Sequence, residues 1–228
     1  MNTSALLQGF RFIDNFFPSG GYAFSFGLEA AVEARAVCTP EDLREYVVDL
    51  LRSGLGNRDA VAVGLAHGAA LDQTLQTAQH LDDELDAMKL CRDTRLASRQ
   101  MGKQVLLIAG TAPNSPPLLG QFLSKVESNQ SPGHMAISVG LVLGTFGWNK
   151  RNAIAAYLYQ STVGFVSASL KLLSIGQHKG QLLLEYLIPI IDQVSREAET
   201  KKEMQSWTPI QDIHEMQHAY LTTRMFRS

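Results

Sequence analysis

Two histidines near the carboxyl end of the chain have a spacing that could support metal chemistry. His214 and His218 stand four residues apart, with Glu215 directly after the first. On a helix this spacing places both imidazoles on one face, where they can bind zinc while the carboxylate acts as general base. A zinc peptidase needs a third ligand downstream, yet residues 219–228 contain no His, Asp, Glu or Cys. Surface histidines are therefore the favoured interpretation, and a metal-dependent hydrolase remains the alternative.

A glycine pair surrounded by aromatic rings is the second candidate site. Residues 18–32 contain two adjacent glycines followed closely by Tyr22, Phe24 and Phe26. Glycine adopts positive φ without steric cost, so the backbone can turn sharply here or approach another surface closely. The rings are too large and too frequent for an ordinary solvated turn. The loop is therefore either packed under its own domain or offered to a partner.

Basic side chains form two further candidate elements. Four of them recur at three- and four-residue steps and share one helix face: Arg92, Arg95, Arg99 and Lys103. This face is either a solvated stripe paired with nearby acids, which is favoured, or a strip that docks an acidic partner. Lys179 lies in the polar turn 176–181, which either connects two helices or presents ammonium and amide donors at a site.

The carboxyl-terminal segment, residues 216–228, is amphipathic, although chain ends usually fray and become polar. It ends on apolar and cationic side chains: Arg224, Met225, Phe226 and Arg227. Such residues are typical of interface hot spots, so we expect the segment to gain order from a partner. The preceding residues 196–206 are polar and lack an apolar stripe, which predicts a flexible link.

Helical periodicity predicts the elements that must position these residues. The predicted helices are 3–14, 25–35, 40–54, 57–71, 73–90, 93–110, 117–128, 133–147, 149–173, 177–198 and 209–226. Capping signals precede three of them, at Thr39, Asn149 and Thr208, the last with Gln211 as reciprocal cap. Pro189 should kink or divide its helix.

The predicted fold is all-α, a single-domain multi-helix bundle of about ten helices with a flexible C-terminal tail. The domain spans residues 1–195. Residues 196–228 form the link and a partner-binding helix and tail.

Composition excludes several classes of function. The 228 residues are 45% hydrophobic and 18% charged, which is typical of a globular protein. A net charge of −2 argues against nucleic-acid binding, and no apolar run approaches the ~18 residues that a membrane-spanning helix needs. There is no phosphate-binding glycine motif, so no nucleotide cofactor is expected. The start of the chain lacks signal-peptide features, and Cys38 and Cys91 have no framework spacing. We therefore expect a cytoplasmic protein whose cysteines are reduced and buried.

Four elements together resemble the UreF family of urease accessory proteins. They are residues 18–32, 95–102, 176–181 and 216–228, which follow the family's order and span nearly the whole chain. The family commonly has His or another ring where this chain has Phe24. Any metal or proton chemistry of a histidine at that position is therefore absent here.

The resemblance implies a helical homodimer with no catalytic centre or cofactor of its own. Such a protein is a scaffold that joins UreD, also called UreH, and the GTPase UreG, and couples GTP hydrolysis to nickel delivery into apo-urease. It implies that Tyr22 and Phe24 lie near the dimer seam where the GTPase docks, and that Met225, Phe226 and Arg227 order against UreD. Further implied partner-binding residues are basic: Arg95, Arg99, Lys179 and Arg224. A regulator of the partner's GTPase rate is an intermediate alternative.

Overall fold

The computed structural model describes residues 3–14, 16–113 and 115–227, and this part of the chain contains eleven α-helices and no strand. The helices are α1 (Thr3–Ile13), α2 (Leu28–Glu33), α3 (Pro40–Arg52), α4 (Ala60–Leu71), α5 (Leu75–Met88), α6 (Arg92–Gly110), α7 (Pro117–Glu127), α8 (Met135–Thr145), α9 (Lys150–Leu172), α10 (Gln177–Thr200) and α11 (Pro209–Gln217). Short helical turns cover Gly21–Ala23, Leu55–Asp59 and His218–Tyr220. The predicted all-α fold is confirmed.

Helices α4 and α8 pack against each other at the centre of the molecule, between α6 and α9. Residues 135–144 of α8 are all buried, so this helix is apolar on every face. Small residues allow the two central helices to approach closely. A Cβ added at Gly140 would lie 2.5 Å from the Val63 carbonyl oxygen, so only glycine fits there.

Two of the predicted helix starts are confirmed in detail. The Thr39 hydroxyl accepts a hydrogen bond from the Asp42 N–H at 3.1 Å, and the Asp42 carboxylate accepts the Thr39 N–H at 2.9 Å. The Asn149 side chain accepts the Asn152 N–H at 2.8 Å at the start of α9. These caps satisfy N–H groups that have no partner within the helix.

The predicted capping box at Thr208 is wrong. The Thr208 hydroxyl lies 3.4 Å from the Asp212 carboxylate, and the Gln211 amide donates to Glu215 one turn further on. Pro189 does not divide α10, which continues to Thr200. Buried side chains on either side of the proline, Leu187 and Ile191, hold the helix against the core.

The carboxyl-terminal part of the chain departs from the predicted boundaries. Residues 196–200 continue α10, and the chain then crosses back so that the Gln205 N–H donates to the Asn57 carbonyl at 3.0 Å. The predicted last helix ends at Gln217 instead of residue 226. Beyond it, one helical turn and an extended segment lie against the domain. The division at residue 195 stays a prediction.

Both cysteines are free thiols. Cys91 is buried, as predicted, whereas Cys38 is exposed in the connection between α2 and α3. Among the described residues, no helix is both long and apolar enough to cross a bilayer.

Candidate functional site

The glycine-rich loop, residues 20–27, is partly packed under its own domain and partly exposed to solvent. Gly20 and Gly27 have φ of 78° and 85°, so both bends use the left-handed conformation that favours glycine. Between them the Phe24 ring is buried and lies 5.9 Å from the Phe26 ring. Tyr22 is 86% exposed. The loop is therefore anchored by two rings and offers a third to solvent.

The carboxyl-terminal residues lie directly on this loop. The Glu29 carboxylate is 7% exposed and accepts the backbone N–H groups of Met225 at 2.6 Å and Phe226 at 3.1 Å. One residue further on, the Arg227 N–H donates to the Ala23 carbonyl at 2.8 Å. Sequence analysis did not select Glu29. The available signal was a single carboxylate in the otherwise apolar start of a helix.

Two of the predicted contact residues, Phe24 and Phe226, are buried in this arrangement, and their assignment to partner surfaces stays a prediction. Phe24 and Phe226 are 8% and 7% exposed, because both rings face the interior of the domain. The Lys171 ammonium lies 5.4 Å from the centroid of the Phe226 ring. The accessible apolar surface belongs to their neighbours in sequence: Tyr22 is 86% exposed and Met225 is 60% exposed.

The histidine pair is buried, so the expectation of surface histidines is wrong. The His218 ring is fully buried, and its Nε2 lies 2.7 Å from the Glu29 carboxylate. Burial lowers the pKa of His214 and raises the pKa of Glu215. The Glu215 carboxylate accepts a hydrogen bond from the Thr94 hydroxyl at 2.7 Å.

This geometry does not favour the zinc-hydrolase alternative, because the second imidazole is engaged by a carboxylate on α2. Within residues 3–14, 16–113 and 115–227, no three His, Cys, Asp or Glu side chains are grouped so that they could hold a metal ion.

A cavity of about 290 Å³ lies beneath the loop and the carboxyl-terminal residues. Aromatic and thioether side chains form part of its walls: Phe17, Phe24, Phe26, Met101, Met135, Phe165 and Phe226. Ionisable side chains also line it, among them Arg58, Asp59, Lys89 and Glu215. Sequence analysis missed this cavity because its lining comes from segments throughout the chain.

The charged side of the cavity is organised around Asp59. Its carboxylate lies 2.8 Å from Arg58 Nε and 2.7 Å from Lys89 Nζ, and it accepts the Tyr157 hydroxyl at 3.3 Å. Burial opposes ionisation of Asp59, but the two cations together hold its pKa well below the ordinary value. Burial and the nearby Arg58 cation lower the pKa of Lys89. Arg58 and Asp59 belong to a π-helical turn, an element that is frequent at functional sites.

The predicted basic strip forms internal contacts. Arg99 binds the Asp86 carboxylate through Nε and Nη2, at 2.8 and 2.5 Å, and Arg95 donates to the Lys89 carbonyl at 3.3 Å. Arg99 is therefore paired with a nearby acid, whereas Arg95 contacts a backbone carbonyl, and the function of the strip stays a prediction.

The other two basic candidates are exposed and lie away from the cavity lining. Lys179 occupies the first turn of α10. The Arg224 guanidinium donates to the Ala219 carbonyl at 2.9 Å.

Helix α11 is oriented with its ionisable side chains inward and its apolar side chains outward. Ile210, Ile213 and Met216 recur at three-residue steps and are exposed, while His214 and Glu215 are buried. Trp207 and Tyr220, at either end, are 85% and 86% exposed. Clustered apolar exposure of this kind marks a contact surface. Sequence analysis missed it because helical spacing alone does not tell which face points inward.

The fold and this site define an all-α protein with a cavity lined by apolar and charged side chains and an exposed apolar face on α11. The chain belongs to the UreF family, whose family model matches residues 37–188. It is a family of urease accessory proteins.

Similar proteins match over nearly the whole chain. A protein of Bacillus sp. (strain TB-90) named "Urease accessory protein UreF" is 26% identical over 225 residues, covering 98% of this chain and 99% of its own. A protein of Actinobacillus pleuropneumoniae serotype 3 (strain JL03) with the same name is 30% identical over 218 residues, covering 95% and 96%. A third, from Trichodesmium erythraeum (strain IMS101), is 28% identical over 215 residues, covering 93% and 92%.

Proposed function

We propose that this protein is a non-enzymatic scaffold for nickel insertion into apo-urease. It acts in the cytoplasm as a homodimer, joins UreD (UreH) to the GTPase UreG, and couples GTP hydrolysis to metal delivery. The observation that carries the proposal is the outward apolar face of α11, formed by Ile210, Ile213 and Met216. A helix that buries carboxylate and imidazole while exposing isoleucine is stabilised when a partner covers the exposed side.

The partner surfaces are assigned by position. The apolar face of α11, extended by Trp207 and Tyr220, binds UreD. Tyr22, next to the Ala23 carbonyl that accepts the Arg227 N–H, belongs to the surface that recruits the GTPase, and the tail residues Met225, Phe226 and Arg227 order against UreD. The sequence has no phosphate-binding glycine motif, which supports the assignment of the nucleotide to a partner.

Co-purification with UreD and UreG tests the proposal. Ile213→Asp places a charge in the centre of the apolar face, and Gln217→Asp is the matched control at another exposed position of α11. Since a desolvated contact of this type contributes about 2 kcal/mol or more, Ile213→Asp should weaken UreD binding by about 30-fold or more. The control should bind as the wild-type chain does.

The partner GTPase supplies a second readout. Wild-type chain added to UreG and UreD should change the rate of GTP hydrolysis, and Ile213→Asp should reduce that change. If the folded wild-type chain binds neither UreD nor UreG, the scaffold proposal is excluded.

A further inference from the structure

We infer that the cavity beneath the glycine-rich loop binds a small organic carboxylate with an apolar body. The Arg58 guanidinium and the Lys89 ammonium hold the anionic end of this ligand, and the aromatic rings of the wall hold its apolar end. The site requires neither UreD nor UreG, so it goes beyond the proposed scaffold function.

Arg58 and Lys89 have more hydrogen-bond donors than the surrounding protein has acceptors for them. A guanidinium has five N–H groups and an ammonium has three. Among the described residues, the two side chains donate three hydrogen bonds: Arg58 Nε and Lys89 Nζ donate to Asp59, and Arg58 Nη1 donates to Ser206 at 3.2 Å. Both side chains are only 10% exposed, so leaving their other donors unpaired is costly. Acceptor oxygens of a bound molecule would satisfy them.

The two buried carboxylates beside these cations are already occupied. Both oxygens of Asp59 accept from the cations, and Oδ1 also accepts the Tyr157 hydroxyl. Glu215 Oε2 accepts the Thr94 hydroxyl, and Oε1 accepts the Gln211 amide at 3.2 Å. Burial raises the pKa of Glu215, so this carboxyl ionises less readily than an exposed one. Asp59 is therefore the main counter-charge to two cations, which favours an anionic ligand.

The rim of the cavity is open to solvent. Tyr22 and Leu90 line it and are 86% and 59% exposed, so a ligand can enter from this side. Two further acids of the lining, Asp14 and Asp212, are not buried, and water therefore screens their repulsion of an anion.

The apolar part of the wall suits a single ring or a short hydrocarbon chain. The Phe26 ring lies 5.9 Å from the Phe24 ring and 6.3 Å from the Phe165 ring, and the thioethers of Met101 and Met135 also line the cavity. The volume of about 290 Å³ lies at the lower end of the range for ligand pockets, about 300–1,000 Å³. A small carboxylate therefore fits this space, whereas a large cofactor does not.

Isothermal titration calorimetry of the full-length chain with three probes tests the two halves of the site. Phenylacetate has both a ring and a carboxylate, phenylacetamide replaces the charged group with a neutral amide of the same shape, and acetate lacks the ring. Phenylacetate should bind about ten-fold or more tightly than each of the other two, because each lacks either the charge-assisted hydrogen bonds or the apolar contact. Equal binding of phenylacetate and phenylacetamide would overturn the carboxylate assignment. Absence of binding at millimolar phenylacetate would overturn the site.

NMR of chain labelled with ¹³C at the methionine methyl groups tests where the probe binds. Met101 and Met135 line the cavity, whereas Met204 is buried outside its lining. Phenylacetate should shift the methyl signals of Met101 and Met135 and leave that of Met204 unchanged. A shift confined to Met216, on the exposed face of α11, would place the ligand outside the cavity and overturn the inference.

Arg58→Lys tests the cationic part of the site and keeps a positive charge next to Asp59. Lysine lacks the planar fork of the guanidinium, so the affinity for phenylacetate should fall about ten-fold or more. Arg92→Lys is the matched control, because Arg92 is exposed and lies outside the cavity lining. Wild-type affinity in folded Arg58→Lys would overturn the role of Arg58.

The comparison of phenylacetate with phenylacetamide uses the wild-type chain, so it tests the inference even if Arg58→Lys fails to fold. None of these measurements contains UreD or UreG. Their failure is therefore distinguishable from failure of the scaffold proposal.

Discussion

The backbone N–H of Arg227 donates to the carbonyl oxygen of Ala23 at 2.8 Å. This bond joins two segments that are distant in sequence, the glycine-rich loop and the carboxyl-terminal residues 218–227. The resemblance to UreF implied separate roles for these segments, with Tyr22 and Phe24 at the GTPase and the tail at UreD. In the structure the exposed members of both segments are neighbours, and their buried members line one cavity.

Substitution of Tyr22 should weaken partner binding with little effect on stability, whereas substitution of Phe24 should lower the stability of the fold. Tyr22→Ala removes an exposed ring, so the free energy of unfolding should change by less than about 0.5 kcal/mol while UreG recruitment falls. Phe24→Ala empties a buried position and should cost about 3–5 kcal/mol. Urea unfolding gives the stabilities, and a pull-down with UreG and UreD gives binding. A large stability loss in Tyr22→Ala would contradict this assignment.

The buried charges of Asp59 and Lys89 should contribute to stability in a coupled way, so that the effects of removing them do not add. Lys89→Met leaves the Asp59 carboxylate with one fewer cation, and we expect a loss of about 3–5 kcal/mol. The double variant Lys89→Met, Asp59→Asn removes both charges. Its loss in the free energy of unfolding should be smaller, by about 1–3 kcal/mol, than the sum of the losses in the two single variants. Urea unfolding of the four proteins gives this coupling energy. Additive losses would show that the two side chains act independently.

His134 should make the protein less stable in acid. Burial and the nearby Lys89 cation lower the pKa of His134 from 6.5 to about 4. Between these values the unfolded chain binds a proton that the folded chain excludes, so stability rises with pH across this window. Acidification from pH 7 to pH 4 should therefore remove about 3 kcal/mol through this residue.

His134→Gln is the variant that isolates this effect. Its urea midpoint should fall less between pH 7 and pH 4.5 than that of the wild-type chain. Burial raises the pKa of Asp82 to about 6, which acts in the opposite direction, but this residue is present in both proteins. Equal pH dependence in the two proteins would exclude the assignment to His134.

Gly102 should resist substitution for a steric reason. A Cβ at this position would lie 2.1 Å from the Gly133 carbonyl oxygen, where α6 meets the segment before α8. Gly102→Ala should therefore cost about 1–3 kcal/mol or more through overpacking. Gly68, within α4, has no atom within 4 Å of an added Cβ. Gly68→Ala is the matched control and should stabilise the protein by about 0.5–1 kcal/mol. Thermal or urea unfolding distinguishes the two.

Local signals in the sequence were sufficient for the positions of most helices. The caps at Thr39 and Asn149 act through hydrogen bonds three residues away, so their residue types alone predict where α3 and α9 begin. The predicted helix boundaries were wrong where contacts with residues distant in sequence determine the end of a helix. The last helix ends at Gln217, not residue 226, and beyond it the Met225 N–H donates to the distant Glu29 carboxylate.

The sequence by itself determined the all-α class and the main helices, because helical periodicity and capping depend on neighbours within one or two turns. The resemblance to UreF rested on four segments of the sequence, residues 18–32, 95–102, 176–181 and 216–228. Only the tertiary structure decided which side of α11 faces inward. Glu215 is buried because Thr94 donates to it, and His218 is buried because Glu29 is there to pair with it. Those partners lie more than a hundred residues away along the chain, so no local pattern could specify that the isoleucines remain outside.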